Sequence, residues 1–592
     1  MWSARKMQDE CEEEEEEDLQ DDEVKEPDSD SREMLFSSME FLEQFADSVV
    51  DYSSRYNNCT SISYSPENVT GKPLKYPQYG DFPDTYILRT YGTWWKNSLG
   101  AQSEYVPQEV DSIESEDFIT VRYEIAVVPT KIIIYETYNP GSVVRIFGRI
   151  WGGEWHSLYE GKPEFCEKTS RIFHPPLKKI YDIVNEIRVE FNQSHQSYHT
   201  SIDAILLAGY KAKSVLQMML LNKALLGPPP LDDDYLELEN SPPIEPLIDY
   251  TDSLPNEIMV QIFHFLDLKT ISNCAQVNRR WREATMAPTI FKALSLKKYW
   301  VKIDNNTLKF LKKRCKTLRK LDLSWCGNNY QITEDVFQDF LKKCGTHLTH
   351  LSLCCCEFVR NVAVGQISKC AELVDLRLRK SEPSEWTYSL LSNLNKLVAL
   401  DLYCTAIQDE SLIKILKANP SLEHLNIDLC ENILQMDEIT ETLAANNPRL
   451  VSLSCWKLRS LTPDGVKHIG RLHRLRELDM GWCLLSNQPG DCLERISQGC
   501  PDLRRLILSN WRGLSDHHLL CIIRSCKKLT QLDILGIWNI TEDFCERVFV
   551  SLPNLQLFDI SFCNAISQTQ VKTWRETYPS VTIQRSESEN WN

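Results

Sequence analysis

Hydrophobic and polar positions along this chain of 592 residues follow several periods in turn, and each predicts a different kind of element. Leu35, Met39, Leu42, Phe45 and Val49 recur at helical spacing, which predicts a short amphipathic helix packed on the domain that follows, within a connecting stretch 34–84. From about Thr85 to Gly209 the period falls to two. Ile119, Val121, Tyr123 and Ile125 take one side of a strand, and Thr120, Arg122 and Glu124 take the other. Ile187, Val189 and Phe191 repeat the alternation. Lys131 to Glu136, Val143 to Phe147 and Asp203 to Leu207 read as further strands, with Asn139-Pro140-Gly141 as a turn. Residues 85–210 are therefore expected to form an antiparallel β-sandwich.

Residues 211–249 lose this order. An apolar stretch from Val215 to Leu226 runs into Gly227-Pro228-Pro229-Pro230, an acidic patch and Pro242-Pro243, the composition of a linker. The stretch falls short of the roughly 20 residues that span a bilayer. Helical spacing returns over 250–296, where Leu254, Ile258, Ile262, Phe263 and Leu266 form one stripe. Ser253 can cap that helix, Pro255 suits its first turn, and Glu257 complements the positive end of its dipole. Ile271, Ala275, Val277 and Trp281 continue a small α-helical hairpin that ends near Pro288.

The pattern LxxLxL then begins ten times, at Leu318, Leu348, Leu373, Leu397, Leu422, Leu450, Leu475, Leu503, Leu529 and Leu555, at intervals of 24 to 30 residues. Cys326, Cys356, Cys430, Cys483 and Cys563 each stand eight places after the first leucine of their unit, and Cys455-Trp456 makes the sixth unit the least regular. One such unit cannot bury its own apolar edge, so residues 297–592 are expected to stack into an α/β solenoid with a ladder of short parallel strands. The leucines point inward, and the residues between them face a concave surface. Asp322, Asp401, Asp428, Asp479, Asp533 and Asp559 fall there, beside a basic island of Arg377, Arg379 and Lys380. Trp325, Tyr403, Trp456, Trp482, Trp511 and Phe562 stand close by. Rigid aromatics beside charges suit a protein-binding surface. Trp325, Arg377, Arg379, Tyr403, Asp428, Trp456, Asp479, Trp482, Asp533 and Asp559 are thus the candidate substrate-binding residues. Aspartates so placed can equally solvate the ladder or bond to neighbouring strands.

Leu254-Pro255-x-Glu257-Ile258, then Ile262-Phe263-x-x-Leu266, with Trp281 in a following helix, resembles the F-box. That resemblance implies docking onto a Skp-type adaptor and, through it, a cullin scaffold, with Leu254, Pro255, Ile258, Ile262, Phe263 and Leu266 as the adaptor-binding positions. The repeats resemble the cysteine-containing leucine-rich subtype. The sandwich looks like a discoidin-type jelly roll, a domain that often binds glycans or lipids through loops at one end. Trp94, Trp95, Trp151 and Trp155 are candidates for such a site, or else close the ends of the sandwich. The three parts in this order are similar to a family of F-box/leucine-rich-repeat proteins. Its likeness implies a non-catalytic substrate-recognition subunit of a Skp-cullin-F-box ubiquitin ligase, which presents targets for ubiquitination and degradation, acts at mitochondria and limits mitophagy. Two alternatives come from other classes. One is a scaffold that bridges partners through solenoid and sandwich, and the other a lipid- or glycan-recognition protein driven by the sandwich.

Composition narrows the reading. Residues 1–33 hold 16 acids against four bases, which is most of the formal charge of −19, and the run Glu12 to Glu17 is expected to be disordered. The remainder is mildly acidic, unlike a phosphate-neutralising nucleic-acid reader. The 21 cysteines concentrate in the repeats and show no paired CxxC knuckles, which suggests buried reduced thiols rather than zinc or disulfides. No P-loop, GxSxG elbow, HExxH helix or Rossmann glycine pattern occurs, and adjacent His517 and His518 face apart on a helix. Neither catalysis nor a cofactor is expected. The start of the chain runs directly into acid without a signal or transit pattern, so a cytoplasmic protein is expected, on the cytosolic face of mitochondria if the family likeness holds, with the nucleus left open.

Overall fold

The computed structural model describes residues 40–56, 63–88, 115–211 and 251–586, apart from 116, 181, 197, 252–253, 267, 329 and 484–488. The acidic run, Leu35 and Met39, the linker, Ser253, Trp94 and Trp95 lie outside the described residues.

Among the described residues, nine strands form the N-terminal domain: β1 (Phe41–Phe45), β2 (Ser48–Tyr52), β3 (Tyr86–Ile87), β4 (Asp117–Tyr138), β5 (Val143–Arg149), β6 (His156–Glu160), β7 (Arg171–Phe173), β8 (Val184–Phe191) and β9 (Ser201–Tyr210). Every pairing is antiparallel. The long β4 belongs to two sheets. Its first half pairs with β2 and β8, its register shifts between Arg122 and Val127, and its second half pairs with β7 and β9. Ile119, Val121, Ile132, Ile134, Ile187, Val189, Phe191, Ile205 and Leu207 fill the space between the sheets and are fully buried.

The expected amphipathic helix is corrected. Residues 41–52 are two strands of the sandwich, which therefore starts well before residue 85. Leu42, Phe45 and Val49 satisfy helical spacing and strand pairing alike over so short a run, and the open edges of β9 and β4 supply backbone partners that a lone helix would lack.

Twelve parallel strands make the solenoid ladder, from β10 (Ala293–Ser295) through β11 (Lys320–Asp322) to β21 (Thr582–Gln584). The ten leucine units supply the middle ten. The flanking two cap the stack in the same register: Phe291-x-x-Leu294-x-Leu296 keeps the apolar frame in other residues, whereas at β21 only Ile583 keeps it, with Ser580 and Arg585 at the other two positions. Cysteines join the turns to one another: the thiol of Cys356 donates to Leu323 O (3.1 Å), Cys430 to Leu402 O (3.1 Å), Cys483 to Cys455 O (3.2 Å) and Cys563 to Ile534 O (3.4 Å). Burial pushes the Cys430 and Cys563 thiols up to about 12, so they remain protonated packing groups. No disulfide occurs among the described residues.

The sandwich lies along the concave side of the solenoid. Its contacts run from the first turn, where Trp300 Nε1 donates to Glu190 Oε1 (2.8 Å), to the last, where Ser586 Oγ donates to Asp81 Oδ2 (2.8 Å) and Tyr138 Oη to Gln584.

Candidate functional site

On the concave face the aspartates shape turns. Asp322, Asp401, Asp479, Asp533 and Asp559 each accept the backbone N–H two residues on, at 2.8 to 3.0 Å. The next residue then takes a left-handed φ, at Trp325, Cys404, Trp482, Gly536 and Phe562 respectively, between 54° and 72°. An Asx-type bond of this kind offsets the cost of αL in residues other than glycine. Asp428 instead accepts from Trp456 N (2.8 Å) and Ser454 Oγ (2.7 Å) of the next turn.

The side chains beyond those turns meet the sandwich. Trp325 packs edge-on to Phe118 (5.2 Å) below the Arg188 guanidinium. Tyr403 Oη accepts from Arg55 N at 3.2 Å. Tyr56 inserts between Trp456 (5.3 Å) and Trp482 (6.2 Å). Tyr198 Oη donates to Asp559. Arg377 pairs with Asp375 (3.0 Å), and Arg379 with Asp401 (3.4 Å) over the Tyr403 ring. The third member of the basic island, Lys380, reaches Asp51 at 2.8 Å. Nine of the ten candidate residues thus serve the ladder or the sandwich, and Asp533, held by Ser509 Oγ (2.8 Å) and Leu535 N, completes the set. The expectation of an open concave surface is corrected: the chain's own sandwich occupies it.

The sequence reading missed the partner of that surface. On the outer face of the sandwich Glu186, Arg188, Glu190, Arg145 and Arg149 alternate as solvent-facing charges would, yet all are buried. Arg149 pairs with Glu186 (2.7 Å), and Arg145 and Arg188 both reach Glu190 (2.5 and 3.0 Å). Arg188 also lies over Phe118 (3.5 Å) and Trp300 (4.0 Å). Desolvation lowers the Arg188 pKa, and Glu190 opposes that shift. Burial of an arginine under two aromatic rings requires an ion pair of this quality. Of the loop tryptophans, Trp155 packs on Trp300 (5.9 Å) within the same junction, and Trp151 remains 71 % exposed.

The F-box region differs. Helices α1 (Asn256–Phe263), α2 (Leu268–Val277) and α3 (Arg279–Thr285) fold around Met259, Phe263, Ile271 and Cys274, with Phe263 against Trp281 at 5.2 Å. Pro255 holds the cap position of α1 without a side-chain bond. Arg280 ties the entry of the domain down through Thr251 O (2.8 Å), Asn256 Oδ1 (2.9 Å) and Leu254 O. Pro255, Ile258 and Ile262 are exposed on one side of α1, Ile258 and Ile262 by 40 and 43 %. Leu254 and Leu266 are half-buried against the core. Phe263 is 1 % exposed, so its expected place on the docking face is corrected. Phe265, 88 % exposed, stands in its place. The spacing 258, 262, 265 was legible as a second helical stripe beside 259 and 263.

A family model described as F-box-like matches residues 251–297. With the ladder that follows, the fold defines an F-box protein carrying leucine-rich repeats, a class of substrate receptors rather than catalysts. Bovine F-box/LRR-repeat protein 4 is 31 % identical to this chain over 571 residues, covering 92 % of the chain and 91 % of the relative. The chain belongs to the F-box/LRR-repeat protein 4 family. Two solved structures are looser likenesses that carry no argument. One is the yeast Rad7 and Elc1 complex, at TM-score 0.37 and 17 % identity, over 57 % of this chain and 90 % of that one. The other is an internalin of Listeria monocytogenes, at TM-score 0.31 and 16 % identity, over 48 % and 64 %. Among the described residues no helix is long and apolar enough to cross a membrane, and no cluster of His, Cys, Asp or Glu could hold a metal ion.

Proposed function

We propose that this chain is the substrate-recognition subunit of a Skp-cullin-F-box ubiquitin ligase. The exposed stripe of Ile258, Ile262 and Phe265 carries the reading, since an apolar face on so small a helical unit needs a partner to cover it. The adaptor takes that stripe together with Pro255, while Leu254 and Leu266 brace it from the side. Fixing a substrate near a charged ubiquitin carrier raises the effective concentration of its lysines, which is what a receptor contributes to transfer. Capture of the Skp-type adaptor and cullin by the full chain, compared with Ile262→Asp/Phe265→Asp, tests it. Loss of both partners in a variant that still folds is expected, and unchanged capture would sink the assignment.

The sandwich is read more finely as a discoidin-type domain, and family membership supports action at mitochondria that limits mitophagy. Imaging of the tagged chain against mitochondrial markers tests the second point. The sequestered concave face favours one further reading, a scaffold that holds partners on its outer surfaces without ubiquitin transfer. Absence of cullin from the intact complex would bring that reading forward. A glycan or lipid site on the sandwich draws support from exposed Trp151, Ile150 and Phe165.

A further inference from the structure

The solenoid helices begin on one lateral edge, and hydrogen bonds tie the helix starts of repeats one to five into a continuous strip. Val362 N donates to Glu334 Oε1 (2.7 Å), Ser384 N to Asn361 Oδ1 (2.7 Å), Asn432 Nδ2 to Glu385 Oε1 (3.1 Å), and Leu434 N to Asp409 Oδ2 (3.1 Å). On this strip Val362, Trp386 and Leu434 are 45, 65 and 72 % exposed, in repeats whose other apolar side chains are mostly buried. Single exposed apolar residues need no explanation, but Val362, Trp386 and Leu434, on repeats two, three and five, each stand within two residues of a bond that ties the strip together (Asn361 to Ser384, Asn432 to Glu385) and so share one patch. Glu385, Glu410 and Glu438 stand in the first turns of the helices of repeats three, four and five, and Glu357 and Glu382 in the turns leading to the helices of repeats two and three, all exposed. Lys342, Lys343, Lys369, Lys396 and Lys417 lie toward the opposite ends of the helices, whereas Lys414 pairs with Glu410 (2.9 Å) and exposed Arg360 holds the cap position of the second helix on this edge, so the acids outnumber the bases here without excluding them. Helix dipoles account for acids at helix starts. They give no reason to expose a tryptophan among them. Glu357 and Glu382 also line a cavity of about 280 Å³ between the first repeats and the sandwich, so the strip leads into the junction of the two domains.

We propose that this edge docks a basic amphipathic segment of a partner protein, whose apolar side chains cover Val362, Trp386 and Leu434 while its lysines or arginines meet the surrounding glutamates. The choice of occupant rests on charge complementarity. As a place for substrate the strip depends on the receptor reading, but the contact itself does not involve the F-box.

Fluorescence anisotropy of a synthetic amphipathic helix of leucine and lysine against the full chain tests it, with a leucine-glutamate helix of the same pattern as control. The lysine helix is expected to bind and the glutamate helix not to. Glu382→Lys with Glu438→Lys should weaken the lysine helix about tenfold or more and flatten its salt dependence. Trp386→Ala should weaken it about tenfold and leave the salt dependence in place. All three positions are exposed, and adaptor capture by the same variants should match the unaltered chain, which separates failure here from failure of the receptor reading. Equal binding of the two helices overturns the proposal. So does lysine-helix binding unchanged in both variants, as attachment to Glu12–Glu17 would give.

Discussion

The F-box and the concave face of the solenoid both present large apolar side chains at regular spacing, and their fates are opposite. Ile258 and Ile262 on α1, and Phe265 in the turn just past its end, stand in the open. Across the ladder, Trp325, Tyr403 and Trp456 are covered by Phe118, Arg55 and Tyr56 of the same chain. The residue types hardly distinguish the two. What differs is whether another part of the chain supplies a matching surface, and here the sandwich does so with aromatics, paired arginines and a lysine-carboxylate bridge. Regular apolar spacing marks an interface without saying whether the partner lies within the chain.

The largest effect separating the two surfaces should come from adding charge to each. Ile262→Asp/Phe265→Asp is expected to lower adaptor affinity by more than about 100-fold with little change in melting temperature, because charge would enter an intermolecular contact. Trp456→Asp should do the reverse, lowering stability while adaptor capture persists; if Trp456→Asp instead lost the adaptor and kept its melting temperature, the comparison would break. Next, Arg188→Ala should cost about 3–5 kcal/mol in urea unfolding, since it strips a buried carboxylate of one partner. Native stability after that change would mean that the junction is not sealed.

A smaller effect is set by pH. Burial pushes Asp559 up to about 6, and its neighbour Asp533 is raised by burial and by Asp559. A carboxyl raised on folding stabilises fully below its unfolded value and loses that contribution as pH rises through the folded one. The junction should therefore weaken between about pH 4 and 6. Asp559→Asn should flatten that part of the stability profile and raise the melting temperature at neutral pH. A steeper profile in the variant would contradict the assignment. The smallest effect is expected for Lys380→Ala, about 1 kcal/mol or less, because the side chain of its partner Asp51 is 39 % exposed and leaves the pair partly solvated.

Much of the fold was legible in the sequence. Period-two alternation located β4, β5, β8 and β9, and LxxLxL located ten of twelve ladder strands, because in both cases one face of the element is uniformly apolar. The terminal ladder strands escaped because Phe291 and Ser580 stand where the first leucine would. At Leu42 to Val49 too few residues were present to separate two periods. The sites were less legible. Arg188 on an outward-facing strand position reads as solvated, and only the placement of a distant domain reveals that it is buried. Ile262 and Phe263 differ by about 100° around a helix, so a stripe drawn through both could not keep both on the exposed face.

Translation order gives the sealed junction a further meaning. Tyr138 waits for Gln584, 446 residues later, and Asp81 waits for Ser586, 505 residues later. At ordinary elongation rates the sandwich leaves the ribosome tens of seconds before its last contacts exist. For the first part of that interval, until Trp300 emerges, Arg188 and Glu190 face water or a chaperone rather than tryptophan. A chain stopped in its final repeat would keep its F-box and most of its ladder, yet it would lack the residues that close the far end over the earliest domain made.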